Sequence, residues 1–236
     1  MSLMDVFAAA AAGRLPSQDG KVEVHEGLSR HTAAVIAFPA HFYVLAPVED
    51  RWVRAQLPPG DYSAPLGARF LVALADRLGA SVGANDALLA AVADGRPRAL
   101  DLYETGGGTH PRVRRAHRYR DEVRVWRTAD GAGHVMLGRG LLGRWEVAFE
   151  VDPAFRGRGL GRALAGAALG LLPVGTPVFA QVAPGNSVSM RATLGAGYQP
   201  IAGEVLLPLT GAGTGEGAAA GTGAGTGAQR EPVSAS

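Results

Sequence analysis

The sequence predicts an α/β fold built on a mixed, mostly antiparallel sheet flanked by helices. Three observations predict it. Short alternating segments at Glu122–Trp126, His134–Leu137 and Arg144–Val151 follow one another across turns, as antiparallel strands do. Helical and strand-like segments then alternate: a helix at Gly159–Leu172 stopped by Pro173, a strand at Pro177–Val182, a helix at Ser187–Leu194 and a strand at Tyr198–Leu207. Apolar residues make up 47% of the 236, enough for a sizeable core.

Four regions are expected. Residues 1–20 form an N-terminal segment, and 21–110 an α/β accessory region. Within the latter, Ala33–Phe38 and His41–Ala46 are expected strands joined through Pro39-Ala40. Leu66, Phe70, Leu71, Leu74 and Leu78 recur at helical spacing, so Pro65–Leu78 is expected as a helix. Asn85–Ala93 is expected as a second helix capped by Asn85, and Ala99–Tyr103 as a short strand. Gly106-Gly107-Gly108, followed by Pro111, marks the boundary to a core at 111–208. Residues 209–236 are Gly/Ala/Thr-rich; ordering them would cost entropy that no burial offsets, so a disordered tail is expected.

Composition removes several functions. There is no cysteine, hence no disulfide framework and no thiolate chemistry. The six histidines lack close metal-ligand spacing, so no metal is expected. Lys21 is the single lysine, and the net charge of +2 gives no field that argues for nucleic acid. Asp5 sits where a secretory signal carries positive charge, and no apolar run approaches the ~20 residues of a membrane helix. A cytoplasmic protein without a membrane partner is the expectation.

The chemistry lies in Trp145–Leu164, where a strand runs into a turn rich in arginine and glycine and a helix leaves it. Gly157, Gly159 and Gly161 let the backbone approach a ligand, and the helix N-terminus offers unpaired N–H groups to an anion. Arg156 stands at the turn, and Arg158 and Arg162, four apart, are expected to face one phosphate group. This is a diphosphate site on physical grounds. By contrast, the G-x-G-x-x-G at Gly138–Gly143 precedes a strand and reads as a hairpin connection, not a dinucleotide cradle.

Arg156-x-x-Gly159-x-Gly161, preceded by Val151-Asp152-Pro153, resembles the coenzyme A signature of the GNAT superfamily of N-acyltransferases. Downstream, Pro184-Gly185-Asn186, Ser189 and Gly197-Tyr198 resemble that family's second motif. The resemblance covers about residues 111–208 and implies a GNAT-like sheet, acetyl-CoA as cosubstrate, and transfer of an acetyl or other short acyl group to a primary amine. It further implies that backbone groups near Val151 hold the pantetheine and polarise the thioester, and that Asn186 supports the pantetheine side or caps its helix. The acceptor amine needs a base, usually a carboxylate. Glu146 and Glu150 share one face of the entering strand with Ala148 and are the candidates, Glu146 preferred, unless arginines such as Arg144 or Arg139 pair with them. Many family members carry a tyrosine seven residues after the motif asparagine to protonate the thiolate; here that position is Thr193. This departure keeps open an acyl-CoA-binding regulator without turnover. The small-residue face Ala163, Gly166, Ala167 and Gly170 is expected to be covered by the N-terminal half or by a second subunit in a homodimer.

Overall fold

The computed structural model describes residues 2–25, 32–95, 100–106, 108 and 110–209. The expected tail thus lies, from residue 210 on, outside the described residues. In chain order the elements are α1 (Leu3–Ala11), β1 (Val22–His25), β2 (Thr32–Phe38), β3 (His41–Leu45), α2 (Asp50–Gln56), α3 (Ala68–Leu78), β4 (Asn85–Val92) and β5 (Leu102–Thr105). They continue with α4 (Pro111–Tyr119), β6 (Asp121–Thr128), β7 (Gly133–Arg139), β8 (Trp145–Val151), α5 (Leu160–Leu169), β9 (Pro177–Val182), α6 (Ser187–Gly195) and β10 (Gln199–Pro208). No helix among the described residues is long and apolar enough to cross a membrane.

All ten strands join one mixed sheet in the order β1-β3-β2-β10-β4-β9-β8-β7-β6-β5. Its pairings are antiparallel except β1 with β3 and β8 with β9. The boundary at 110/111 therefore falls inside a single sheet. The accessory region sends β4 between β9 and β10, and β5 pairs with β6.

β4 corrects the expected helix at Asn85–Ala93. Leu88, Leu89 and Ala90 are buried on alternate faces between two neighbours, a setting in which a continuous apolar run suits a central strand. Pro65–Leu78 divides at Gly67 into a short 3₁₀ turn and α3, which ends at left-handed Gly79. α1 opens with a capping box between Ser2 and Asp5, and α4 with Pro111 in its first turn and His110 as cap.

Period-two alternation gives the sheet two apolar faces. On one, α5 lies against Val135, Leu137, Val147, Val178 and Ala180, and α3 against Val35, Val44 and Val205. On the other, α1 seats Phe7 among Ile36, Leu88 and Phe179, while α4 seats Val113 and Ala116 on Val125 and Met136. Burying each such side chain stabilises by about 1.5–3 kcal/mol. α5 packs against α6: a Cβ on Gly161 would meet Ala192 at 3.5 Å, and one on Gly166, of the small-residue face, would meet Ala196 at 3.9 Å.

Candidate active site

β8 and β9 run parallel but share only the rungs Trp145↔Val178 and Glu146↔Phe179. Past Glu146 no rung joins them, so the sheet opens where β8 heads for its C-terminal end. The chain then turns through Pro153–Phe155 and the left-handed Gly157 and Gly159 (φ 79° and 80°) into α5. Neither glycine has a neighbour where a Cβ would stand, so backbone conformation, not crowding, calls for glycine here. Gly159 caps α5 without a side-chain hydrogen bond. The amides of Leu160, Gly161 and Arg162 donate to no acceptor among the described residues. An opened sheet beside an uncapped helix N-terminus can take an anion with an extended arm.

The three arginines of this turn do different things. Arg156 donates from Nε to the Val151 carbonyl at 3.1 Å and from Nη2 to Glu150 at 3.1 Å, bracing the turn to β8. Arg158 lies outside the helix and over the Phe155 ring, 5.9 Å from its centroid. Arg162 is exposed and runs its stem past Gly195 of α6. Arg158 and Arg162, expected to face one phosphate group, do not share a helix face, since α5 begins only at Leu160, after left-handed Gly159. Asn186 caps α6, its Oδ1 accepting from the Ser189 amide at 3.1 Å. Thr193 is fully buried, its Oγ1 without a hydrogen-bond partner. Tyr198 is also fully buried and donates to the Ala165 carbonyl at 3.3 Å.

On the α4 face, Glu146 is buried and both its oxygens are occupied. Oε1 accepts from Arg144 Nε at 2.8 Å and from the Leu141 amide at 3.3 Å; Oε2 accepts from Arg120 Nε at 2.9 Å. A Cβ on Gly140 would fall 2.1 Å from the Glu146 carboxyl carbon, so that residue leaves room for this arrangement. Arg144, itself fully buried, also donates twice to Glu204, at 2.8 and 2.7 Å, and Gln181 donates to Glu204 as well. Burial raises the Glu146 carboxyl, but Arg144 and Arg120 more than offset it and hold the group below its ordinary value. A carboxylate so stabilised is a poor proton acceptor, which counts against the preferred base. Of the two foreseen arginine partners, Arg144 takes Glu146, whereas Arg139 stacks on Trp145.

Glu150 is more open, with 23% of its side chain exposed, and is shared between Arg156 and Arg112 of α4. Its cross-strand neighbour His134 stacks on His110 with ring centroids 5.0 Å apart. Burial, and then the charges of His110 and Arg127, hold His134 below its ordinary pKa, while Glu150 pulls the other way. A further carboxylate, Asp86, stands on β4 directly across from Glu204. Sequence reasoning missed Arg120, His134 and Asp86; the first two join the site only through sheet pairing, and the third was hidden in the misassigned segment.

No protein-family model matches the chain, and no curated protein matches it. Among solved structures it is similar to a GCN5-related N-acetyltransferase from Kribbella flavida, at 20% identity and TM-score 0.38, over 60% of this chain and 64% of that one. It is similar to a functionally unknown conserved protein from Staphylococcus epidermidis, at 15% identity and TM-score 0.41, over 61% and 67%. A tandem GNAT protein from the clavulanic acid biosynthesis pathway matches at 18% identity and TM-score 0.39, over 79% and 66%. The chain spans less than two thirds of the Kribbella flavida protein's length. These are likenesses to a GNAT-like fold over part of the chain, and at such values they decide neither ligand nor reaction.

Proposed function

We propose that this protein transfers an acetyl or other short acyl group from acyl-CoA to a primary amine. The observation that carries the reading is the divergence of β8 from β9 beside the uncapped N-terminus of α5. There the diphosphate of acetyl-CoA would meet the amides of Gly157, Gly159, Leu160 and Gly161 together with Arg158 and Arg162, with Arg156 bracing the turn. The pantetheine arm would lie along the unpaired edge of β8 up to Val151, where backbone amides polarise the thioester as its carbonyl gains charge. Asn186 would border the arm from the cap of α6. The resemblance of Arg156–Gly161 and Pro184–Ser189 to the acyltransferase motifs supports the same placement. Of the two glutamates, Glu150 is the one solvent reaches, and Glu146 serves the fold.

Calorimetry with acetyl-CoA, and thiol release in the presence of amines, test this. Each phosphate-directed arginine supplies about 1.5–3 kcal/mol in charge-assisted hydrogen bonding. Arg158→Ala combined with Arg162→Ala should therefore weaken acetyl-CoA binding at least tenfold. Folded wild-type protein that gives no binding heat with acetyl-CoA or CoA would end the proposal. A second reading, an acyl-CoA-binding regulator, is favoured by the buried Thr193, whose hydroxyl has no route to a leaving thiolate. Binding without thiol release would select it.

A further inference from the structure

β4 pairs with β9 from Val92↔Pro177 to Ala87↔Val182, so its N-terminal end lies at the wide end of the β8–β9 divergence. Asp86 is the next residue outward. It shares a face with Leu88 and Ala90, the face on which Glu204, Gln181 and Glu146 meet. Along that floor the three glutamates Glu146, Glu150 and Glu204 each have arginine partners. Arg144 and Arg120 neutralise Glu146 and Glu204, and Arg112 and Arg156 share Glu150. Asp86, half-buried, has no hydrogen-bond or ion-pair partner among the described residues. It faces like-charged Glu204 on β10, a cross-strand pairing that costs stability. Of the charges that act on its carboxylate, Glu204 repels it and Arg115 of α4 attracts it.

Resting on the acyl-transfer reading, we propose that Asp86, delivered by the N-terminal half of the chain, takes the proton that the acceptor amine must lose. The amine arrives as an ammonium ion and gives one proton to the Asp86 carboxylate. The neutral nitrogen attacks the thioester carbonyl carbon, the C–N bond forms, and the C–S bond breaks. The thiolate leaves with the shared electron pair, and the second proton shed by the new amide nitrogen reaches it through water. Asp86 then releases its proton to solvent. Burial first, and Glu204 second, raise the Asp86 carboxyl above its ordinary value, with Arg115 pulling it back. That direction suits a base better than the lowered Glu146. The arrangement also gives the inserted strand a purpose: the donor machinery belongs to 111–208, and the acceptor side receives its base from 21–110.

The test is Asp86→Asn, with acetyl-CoA as donor and spermidine and a tetrapeptide N-terminus as amines. Thiol release should fall by about 10²–10⁴ in kcat/KM, while calorimetry gives an unchanged Kd for acetyl-CoA. The acid limb of the wild-type pH profile should vanish in Asp86→Asn, and Asp86→Glu should restore part of the rate. A variant as fast as wild type, or one slowed solely through weaker acetyl-CoA binding, overturns the assignment and leaves the transfer reading intact. Acetyl-CoA binding by wild type with no thiol release to any of these amines overturns both. Absence of binding heat removes the donor site itself.

Discussion

Arg144 carries its charge with no exposed side-chain surface, and the terms that allow this are visible around it. Burial opposes the guanidinium, but Glu204 and Glu146 more than compensate and raise its pKa, while Phe7 and Phe179 face it at 5.3 and 5.4 Å. Removing it leaves two carboxylates without their main partner in a dry setting. Arg144→Ala should therefore cost about 3–5 kcal/mol, read as a fall in the urea midpoint, and Arg144→Lys should recover little because the bidentate fork is lost. The acid side of the stability profile follows from Glu146. Its folded pKa lies below the unfolded one, so the unfolded chain binds the extra proton as pH falls. This contribution is complete above the ordinary glutamate value of about 4.3 and drains away below it. A wild-type midpoint that holds level through acid, or an Arg144→Ala protein as stable as wild type, would contradict this account. The alternation Glu146, Ala148, Glu150 was legible in the sequence because a strand's period is fixed. The partner Glu204, 60 residues along the chain from Arg144, was not, since only the sheet order joins them.

The turn from β8 into α5 was legible from residues 151–162 because its glycines act locally. β4 was misread for the opposite reason: Ala87–Val92 carries no local signal that separates a buried strand from a helix, and its two flanking strands lie far along the chain. α4 went unread because its apolar stripe is only Val113 and Ala116 among arginines. The turn yields the sharper test. Gly159 sits at φ 80° with open space where a Cβ would stand, so Gly159→Ala meets backbone strain of about 1–2 kcal/mol and no clash. That strain is relieved by re-aiming the amides that follow. Acetyl-CoA affinity should drop at least tenfold while the melting temperature falls by only a few degrees, about 2–4 °C per kcal/mol for a chain of this size. Equal affinity in Gly159→Ala would show that these amides do not hold the ligand.

At the level of the molecule, the sequence boundary near Pro111 suggests two separable parts, and the sheet argues against separation. β9 and β10 do not pair with each other; β4 stands between them, and β2 covers the far edge of β10. A chain lacking residues 1–110 would expose backbone edges of β9, β10 and β6 and uncover the apolar faces of Phe179 and Ile201. Expressed alone, 111–208 should therefore be aggregated or unfolded, and the whole chain should unfold as one unit. The three tryptophans allow a direct reading, since Trp52 packs on Phe70 in the N-terminal half while Trp126 and Trp145 report on the other. With Trp52→Phe in one protein and Trp126→Phe with Trp145→Phe in another, fluorescence and far-UV circular dichroism should give coincident urea midpoints within each. An early Trp52 transition, with the Trp126 and Trp145 signal holding at higher urea, would mean two units. The site would then be assembled by docking, and a base supplied from β4 could be lost while the donor half stayed folded.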